Sequence, residues 1–298
     1  MRKNVVLLLT VCLFISGFSL AWAQEPGAGA PPKVLRIYRE EVKPGKAGLH
    51  EKNEAAWTRA FVKAKYPAHY LAMTTMTGPA EAWFLEGHDS LASAEQAEQF
   101  IQNNALLKAE VEQLAQRDGE YLSGARGMVA VYRPELSYRA DGIKIGEYRY
   151  FHLTTVRVRP GHDNDFIEGN KIVREAHEKA NVPERWAVFQ VTMGMPGQTY
   201  LIFQPLKSLA EVDAFPQTHG EAFRDAIGDE GRKRLRELDN AATFSRETNL
   251  FAFSSAMSYL SKEITSAAPD FWTPKPKAPK AAAPAAAKKE AAKPSGKP

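Results

Sequence analysis

Cysteine is almost missing from this 298-residue chain; Cys12 is the only one. That count excludes a disulfide framework and a thiolate zinc site. The chain also lacks a glycine-rich phosphate loop, a nucleophile elbow, a His-Glu-x-x-His helix and an EF-hand spacing, so no motif names a reaction. Long apolar runs are scarce: Val5 to Leu20 is shorter than the roughly 20 residues a membrane-spanning helix needs. Nor does the body carry an excess of positive charge. The net +4 divides into +2 from Arg2 and Lys3, +6 from the seven Lys and one Glu of Pro274 to Pro298, and −4 over Gln24 to Thr273. A mildly acidic body does not have the electrostatic footprint of a nucleic-acid binder. What remains, 44% hydrophobic and 25% charged, is the composition of a chain that folds.

The two ends read differently from the middle. Arg2 and Lys3, the apolar run and Ala21-Trp22-Ala23 before Gln24 make residues 1–23 an expected cleaved signal peptide, hence an exported protein, periplasmic or secreted. Residues 24–32, rich in Gly, Ala and Pro, are expected as a flexible leader. Residues 270–298 are expected as a disordered Ala/Pro/Lys-rich basic tail, since such a composition buries too little to offset the entropy of ordering. A solvated tail is the plainer role for it, and weak contact with an anionic envelope is the other.

Between these ends the chain resembles itself. Pro44-Gly45 recurs as Pro160-Gly161, and Pro67-Ala68-His69-Tyr70 as Pro183-Glu184-Arg185-Trp186, each 116 residues later. Ser90-Leu91-Ala92 recurs as Ser208-Leu209-Ala210, and Leu136-Ser137-Tyr138 as Met257-Ser258-Tyr259. Self-similarity in fixed order points to two units, residues 33–139 and 147–262. Hydrophobic periods alternating between 2 and about 3.6 predict strands at 34–42, 69–77, 81–86 and 128–133 with helices at 46–65 and 91–121. The second unit reads strands at 149–158, 185–193, 198–204 and 249–254 with helices at 163–180 and 209–242. The second helix there is expected to break near Pro216 and near Gly228 or Gly231.

The order βαββαβ is the ferredoxin-like plan, with both helices on one face of an antiparallel sheet. Two copies bury their bare faces against each other, giving an α+β fold in which two tandem ferredoxin-like repeats form one intramolecular α+β barrel. On the βαββαβ order and the Pro-Gly after each first strand, residues 33–260 resemble the dimeric α+β barrel superfamily. The NIPSNAP-like and antibiotic-biosynthesis-monooxygenase-like branches are the nearest likeness. The resemblance implies a cavity shared by the two units, and it leaves haem open because the superfamily includes haem-handling members.

Alternation sorts the strand residues by face. Leu35, Ile37, Leu71, Met73, Trp83 and Leu85 match Phe151, Leu153, Ala187, Phe189, Leu201 and Phe203, and this apolar parity is expected beneath the helices. The opposite parity mixes polar and aromatic residues and is expected to line a cavity between the sheets. Arg36, Tyr38, Tyr70, His152, Trp186 and Gln190 are its candidate ligand-binding residues, with Arg36 and His152 suited to an anion or a carbonyl. Candidate catalytic residues are His152, His177, Asn53 and Trp57. His177 ends the helical stripe Phe166, Asn170, Val173, and a hydrogen-bonded core histidine is the plainer account of it. Asn53 and Trp57 share a helix face, and the resemblance implies such a pair in cofactor-free oxygenases and haem-degrading relatives. Glu40 and Glu41 are adjacent, so they point to opposite strand faces and form no acid-base couple. No resident metal or cofactor is expected. The functions that follow are an exported small-molecule-binding barrel, a cofactor-independent or haem-linked monooxygenase-like enzyme, or a non-catalytic envelope interaction protein.

Overall fold

The computed structural model describes residues 30–218 and 220–273. The expected signal peptide, most of the leader and the tail from residue 274 lie outside the described residues. Eight strands close into a barrel: β1 (Val34–Val42), β2 (Tyr70–Thr75), β3 (Glu81–His88), β4 (Leu122–Tyr132), β5 (Tyr150–Val158), β6 (Ala187–Met193), β7 (Thr199–Leu206) and β8 (Thr243–Phe253). Their order around the wall is β1-β3-β2-β8-β5-β7-β6-β4. Each half thus supplies four strands in the ferredoxin-like order, β4-β1-β3-β2 and β8-β5-β7-β6. Three helices, α1 (Ala47–Ala64), α2 (Leu91–Asn103) and α3 (Ala105–Tyr121), belong to the first half. Their second-half counterparts are α4 (Asp163–Ala180), α5 (Ala210–Thr218) and α6 (Glu221–Ala242), followed by the short α7 (Lys262–Ser266) and α8 (Pro269–Trp272). Among the described residues, no helix is long and apolar enough to cross a membrane.

Local chemistry explains where elements start and stop. Gly45 and Gly161 take φ of +76° and +86° in the turns that leave β1 and β5, a conformation side chains resist. The expected helix 91–121 divides at Asn104, whose side-chain oxygen accepts from the Leu107 N–H at 3.0 Å and so starts a new helix. The expected helix 209–242 divides after residue 218 and kinks at Gly228, which sits at φ +65°. Strands β4 and β8 begin six residues earlier than their apolar alternation suggests. Their first halves are polar and largely exposed, and only pairing with β1 and β5 makes them strands.

The two strand faces are exchanged relative to the expectation. Leu35, Ile37, Leu71, Met73, Trp83, Leu85, Phe151, Leu153, Ala187, Phe189, Leu201 and Phe203 all join one core cluster drawn from every strand, which is the barrel interior. The polar-aromatic parity lies under the helices instead: Tyr70 and Phe84 pack with α1 and α3, while Trp186 and Tyr200 pack with α4. The physical reason is enclosure. A small eight-stranded barrel must fill its inside with side chains. That space takes the purer apolar set. The sheet-helix layer opens at its margins, where Arg36 and Tyr38 reach solvent. The barrel end holds only a small apolar void of about 130 Å³, bounded among others by Pro31, Leu71, Ile143 and Phe189. Residues 270–273, expected as the start of the tail, are ordered there. Trp272 is buried against Phe253 and donates from Nε1 to the Gly146 carbonyl at 2.8 Å.

The halves meet at two short seams, three residue pairs between β2 and β8 and four between β4 and β6. Each seam is lengthened by the segment that leaves the opposite half. Tyr259 bridges Tyr70, and Tyr138 bridges Trp186. The Ser258 hydroxyl accepts from the Ala72 N–H at 2.9 Å, and the Ser137 hydroxyl accepts from the Val188 N–H at 2.9 Å. Both hydroxyls are buried and donate to a carbonyl four residues back, Ser254 and Arg133. Removing either leaves a buried amide without a partner. Ser137→Ala and Ser258→Ala should each lower the unfolding free energy by about 1–2 kcal/mol, read by urea denaturation. Because the two sites share no partner, the double variant should show the sum to within about 0.5 kcal/mol.

Candidate binding and acid-base site

The expected site residues do not converge on one cavity. Arg36, Tyr38 and Tyr70 do come together, in a pocket of about 300 Å³ between the first-half sheet and α1, α2 and α3. His152 lies in the second half, edge-on to Phe215 of α5 at 5.2 Å. Burial lowers its pKa, against a hydrogen bond with Gln204 that raises it. Trp186 donates from Nε1 to the Leu136 carbonyl at 2.9 Å, and Gln190 accepts from Arg133. The joint anion site of Arg36 and His152 is therefore not formed, because matching positions in the two halves lie on the outer face of opposite walls.

His177 is held on both ring nitrogens. Nδ1 lies 2.8 Å from the Val173 carbonyl, and Nε2 lies 3.0 Å from Glu184. Tyr138, Trp186 and Phe223 pack edge-on around the ring. The void of about 80 Å³ beside α4 and α6 is not bordered by His177. With both ring nitrogens engaged and three aromatic rings around it, His177 does not offer an open ligand position to haem.

The first-half pocket is built differently. Alternate residues of β1 (Arg36, Tyr38, Glu40) and of β3 (Phe84, Glu86, His88) face α1, whose buried side carries His50, Asn53, Glu54 and Phe61. Asn53 and Trp57, the expected pair, both donate to one carboxylate, Asp118 of α3, at 2.7 and 2.9 Å. Asp118 is 6% exposed. It had a signal in the sequence: Leu107, Val111, Leu114 and Asp118 recur at helical spacing, so an acid occupies a core position. Beside it stands Glu54, 5% exposed, with Oε1 lacking a hydrogen-bond partner. Burial, then the charges of Glu40 and Asp118 and a hydrogen bond with Asp118, push the Glu54 carboxyl up to about 10. His50 Nε2 lies 2.7 Å from Glu40 Oε2 and 3.8 Å from Glu54 Oε1. Glu40, His50 and Glu54 are the residues here that could hold a metal, their ligand atoms lying within 4.8 Å of one another.

Around the rest of the wall, polar groups satisfy each other. Burial works against the Arg36 charge, but Glu86 and Tyr38 outweigh it and raise its pKa above the ordinary value. Arg36 lies 3.8 Å from Glu86 and 3.5 Å from Glu98 and contacts the Tyr38 hydroxyl. Glu86 also meets His88 Nε2 at 2.6 Å and the Tyr66 hydroxyl at 3.3 Å. Burial raises the pKa of both Tyr66 and Tyr70, so these phenols stay neutral. Trp57, Phe61, Tyr66, Tyr70 and Phe84 supply the apolar walls. With Glu54 protonated, Glu40, Glu86, Glu98 and Glu112 face only Arg36 and Lys108, so the pocket repels anions.

The second half lacks this set. Helices α1 and α4 start 116 residues apart, as do β1 and β5, so His50, Glu54 and Trp57 correspond to Phe166, Asn170 and Val173, and Glu40 to Val156. Asn170 therefore matches Glu54. By strand pairing Glu86 corresponds to Gln204. Asp239 alone keeps the carboxylate of Asp118, and Arg246 pairs with it at 2.5 Å.

No family model matches the chain, and no curated protein matches its sequence. Solved structures do share its fold. A candidate monooxygenase of Fusobacterium nucleatum subsp. nucleatum ATCC 25586 is 13% identical, covering 75% of this chain and 93% of its own, with a TM-score of 0.50. An anthrone oxidase-like protein is 17% identical, covering 78% and 97%, with a TM-score of 0.50. A chlorite dismutase candidate aligns more loosely, 13% identical over 76% and 96%, at 0.45. What these structures share with the chain is the fold, two ferredoxin-like sheets closed into one α+β barrel.

The raised pKa of Glu54 gives a pH test. Folding takes up a proton there, so its contribution to stability is fully present below the ordinary value of 4.5 and declines as pH rises toward about 10. In chelator-treated protein, Glu54→Gln should raise the melting temperature at pH 8.5, equivalent to about 1–3 kcal/mol, and change it little at pH 4.5. A wild-type and variant pair with parallel melting curves across that range would show that Glu54 is not held neutral.

Proposed function

We propose that this chain binds a small, neutral, planar molecule bearing a carbonyl or phenolic oxygen, in the pocket between the first-half sheet and its helices. The carrying observation is that aromatic walls (Trp57, Tyr66, Tyr70, Phe84) and inward-facing acids (Glu40, Glu54) border one cavity of about 300 Å³. That volume and lining are those of a ligand site. Glu54 in its neutral form is a donor for a carbonyl oxygen, while the pair of Glu40 and His50 is placed to accept a proton. Export through residues 1–23 belongs to this proposal, as does an origin of the barrel in two tandem copies. A solidly packed assembly protein would hold no void of this size, which argues against the non-catalytic envelope reading.

A second reading is a monooxygenase-like enzyme, supported by the same acid cluster and by what two of the structures sharing the fold are described to be. In such a reaction the base removes a proton from a CH₂ made acidic by conjugation to the substrate carbonyl, and the resulting carbanion is oxidised by dioxygen. One oxygen atom becomes the new C=O and the other leaves as water, taking up the two hydrogens, so R₂CH₂ and O₂ give R₂CO and H₂O. Asn53 and Trp57 then act as positioning residues, through Asp118, rather than on substrate.

Binding is tested with anthrone and 2-naphthol by quenching of tryptophan fluorescence. Tyr70→Ala and Trp57→Phe should weaken binding about tenfold or more, whereas His152→Ala should leave it unchanged. Loss of affinity in His152→Ala alone would move the site to the second half. Oxygen uptake with anthrone, lost in Glu54→Ala, would favour the enzyme over the binder.

A further inference from the structure

The wall that separates this pocket from its neighbour contains a set of groups that ligand binding alone does not use. Glu40 on β1 and His50 and Glu54 on α1 bring one oxygen, one imidazole nitrogen and one oxygen to within 4.8 Å of one another. The cluster is enclosed: His50 is 2% exposed and Glu54 5% exposed. Glu40 and Glu54 face the aromatic pocket, while His50 faces the adjoining cavity bounded by Thr74, Glu81 and Ser254. Within it Glu54 Oε1 is buried and accepts no hydrogen bond, and the His50 Nε2 atom stands 3.8 Å from it. Buried carboxylate oxygens find a partner in nearly all proteins, so an unpartnered one aimed at an imidazole and a second carboxylate marks a place for a missing one.

The geometry points to a site for a first-row divalent transition cation, with Glu40, His50 and Glu54 as its three protein ligands. The donor set selects the ion class. An imidazole with two carboxylates suits zinc, manganese, iron or cobalt, whereas calcium and magnesium take oxygen alone. Three ligands leave coordination positions open, the arrangement of reactive rather than structural sites. Those positions would face the cavity from the side that Glu40 and Glu54 line. Ligand atoms around a tetrahedral ion stand roughly 3.4 Å apart, so the contact of 2.7 Å between Glu40 and His50 would open slightly on binding. The surroundings favour this: Asp118 fixes the Glu54 side of the cluster, and α1 sets His50 and Glu54 one turn apart on a common face. The other half holds Val156, Phe166 and Asn170 at the matching places, so the barrel has room for one such ion, not two. The inference rests on the same pocket as the proposed function but needs no organic ligand. A cation would polarise a bound carbonyl in place of the Glu54 proton.

The test is titration of the chelator-stripped full chain with cobalt(II), read by visible d–d absorption, and with zinc by calorimetry, without any organic ligand. Binding of one ion per chain is expected, weakened at least tenfold in both His50→Ala and Glu54→Gln and unchanged in His162→Ala. Absence of a cobalt spectrum at excess metal, or equal affinity in wild type and both variants, would overturn it. Should a variant fail to fold by circular dichroism, the wild-type cobalt form decides. Hyperfine-shifted imidazole protons from a single histidine support the site, and their absence removes it. Failure here leaves the fluorescence test of ligand binding untouched, so the two proposals fall separately.

Discussion

Closure of the barrel is the constraint from which the rest follows. Two four-stranded sheets that each pair internally must also pair with one another, and they do so over seams of three and four residue pairs. Seams this short would be weak points in an otherwise continuous hydrogen-bonded wall. The chain reinforces them reciprocally, each half sending its exit segment across to the other, with a serine hydroxyl standing in where the backbone ladder ends. Once the wall is closed, the middle of the enclosed space is filled by apolar side chains of one strand parity. The same parity of β1 and β3 also carries the pair of Arg39 and buried Glu81, with Trp83 Nε1 donating to Glu81 at 2.8 Å. Most other polar chemistry is displaced to the outside of the wall.

That displacement decides where function can sit. Outside the wall, helices cover each sheet without sealing it, so acids and phenols there are buried on one side and near water on the other. The two halves use this layer differently. The second half fills it with Val156, Phe166, Trp186, Val188 and Tyr200, and serves as packing. The first half places Glu40, His50, Glu54, Glu86, His88 and Asp118 in the same layer. Burying so many ionisable groups is unfavourable unless each finds a partner. Most do, through Arg36, Tyr66, Asn53 and Trp57, and the atoms left without a hydrogen bond are Glu54 Oε1 and His88 Nδ1. An uncompensated buried acid beside an open cavity is a typical mark of a functional site.

The residues read from the sequence as a site divide along the same line. Arg36, Tyr38 and Tyr70 lie in the pocket, and Asn53 and Trp57 border it through Asp118. His152, Trp186, Gln190 and His177 are parts of the second half's packing and hydrogen bonding. The misplacement has one cause: alternation along a strand separates two faces but carries no label for which is inside. Alternation alone suits the purer apolar face to a place under the helices, and in a closed barrel it is the face turned inward. Glu54 and Asp118 went unread because a charged residue on a helix normally marks the solvated side, and neither sequence neighbours nor spacing say that this helix side is pressed against a sheet.

Element order, the Pro-Gly turns, both first helices to within a residue and the ferredoxin-like plan were legible locally, because strand and helix periods and turn chemistry are properties of a few consecutive residues. The polar first turns of β4 and β8 and the break at Asn104 were not. A strand without alternation exists only through its partner, and the Asn104 cap competes with a helix that its neighbours would otherwise continue. Composition alone also fixed the charge balance, mildly acidic over residues 24–273 and basic at both ends. Which parity points inward, which half holds the acids together, and that Glu40, His50, Glu54 and Asp118 are neighbours were decided only when the chain closed on itself. Those facts depend on contacts between residues 10 positions apart, as Glu40 and His50, and 65 apart, as Asn53 and Asp118, and burial of a charge is a property of everything that surrounds it.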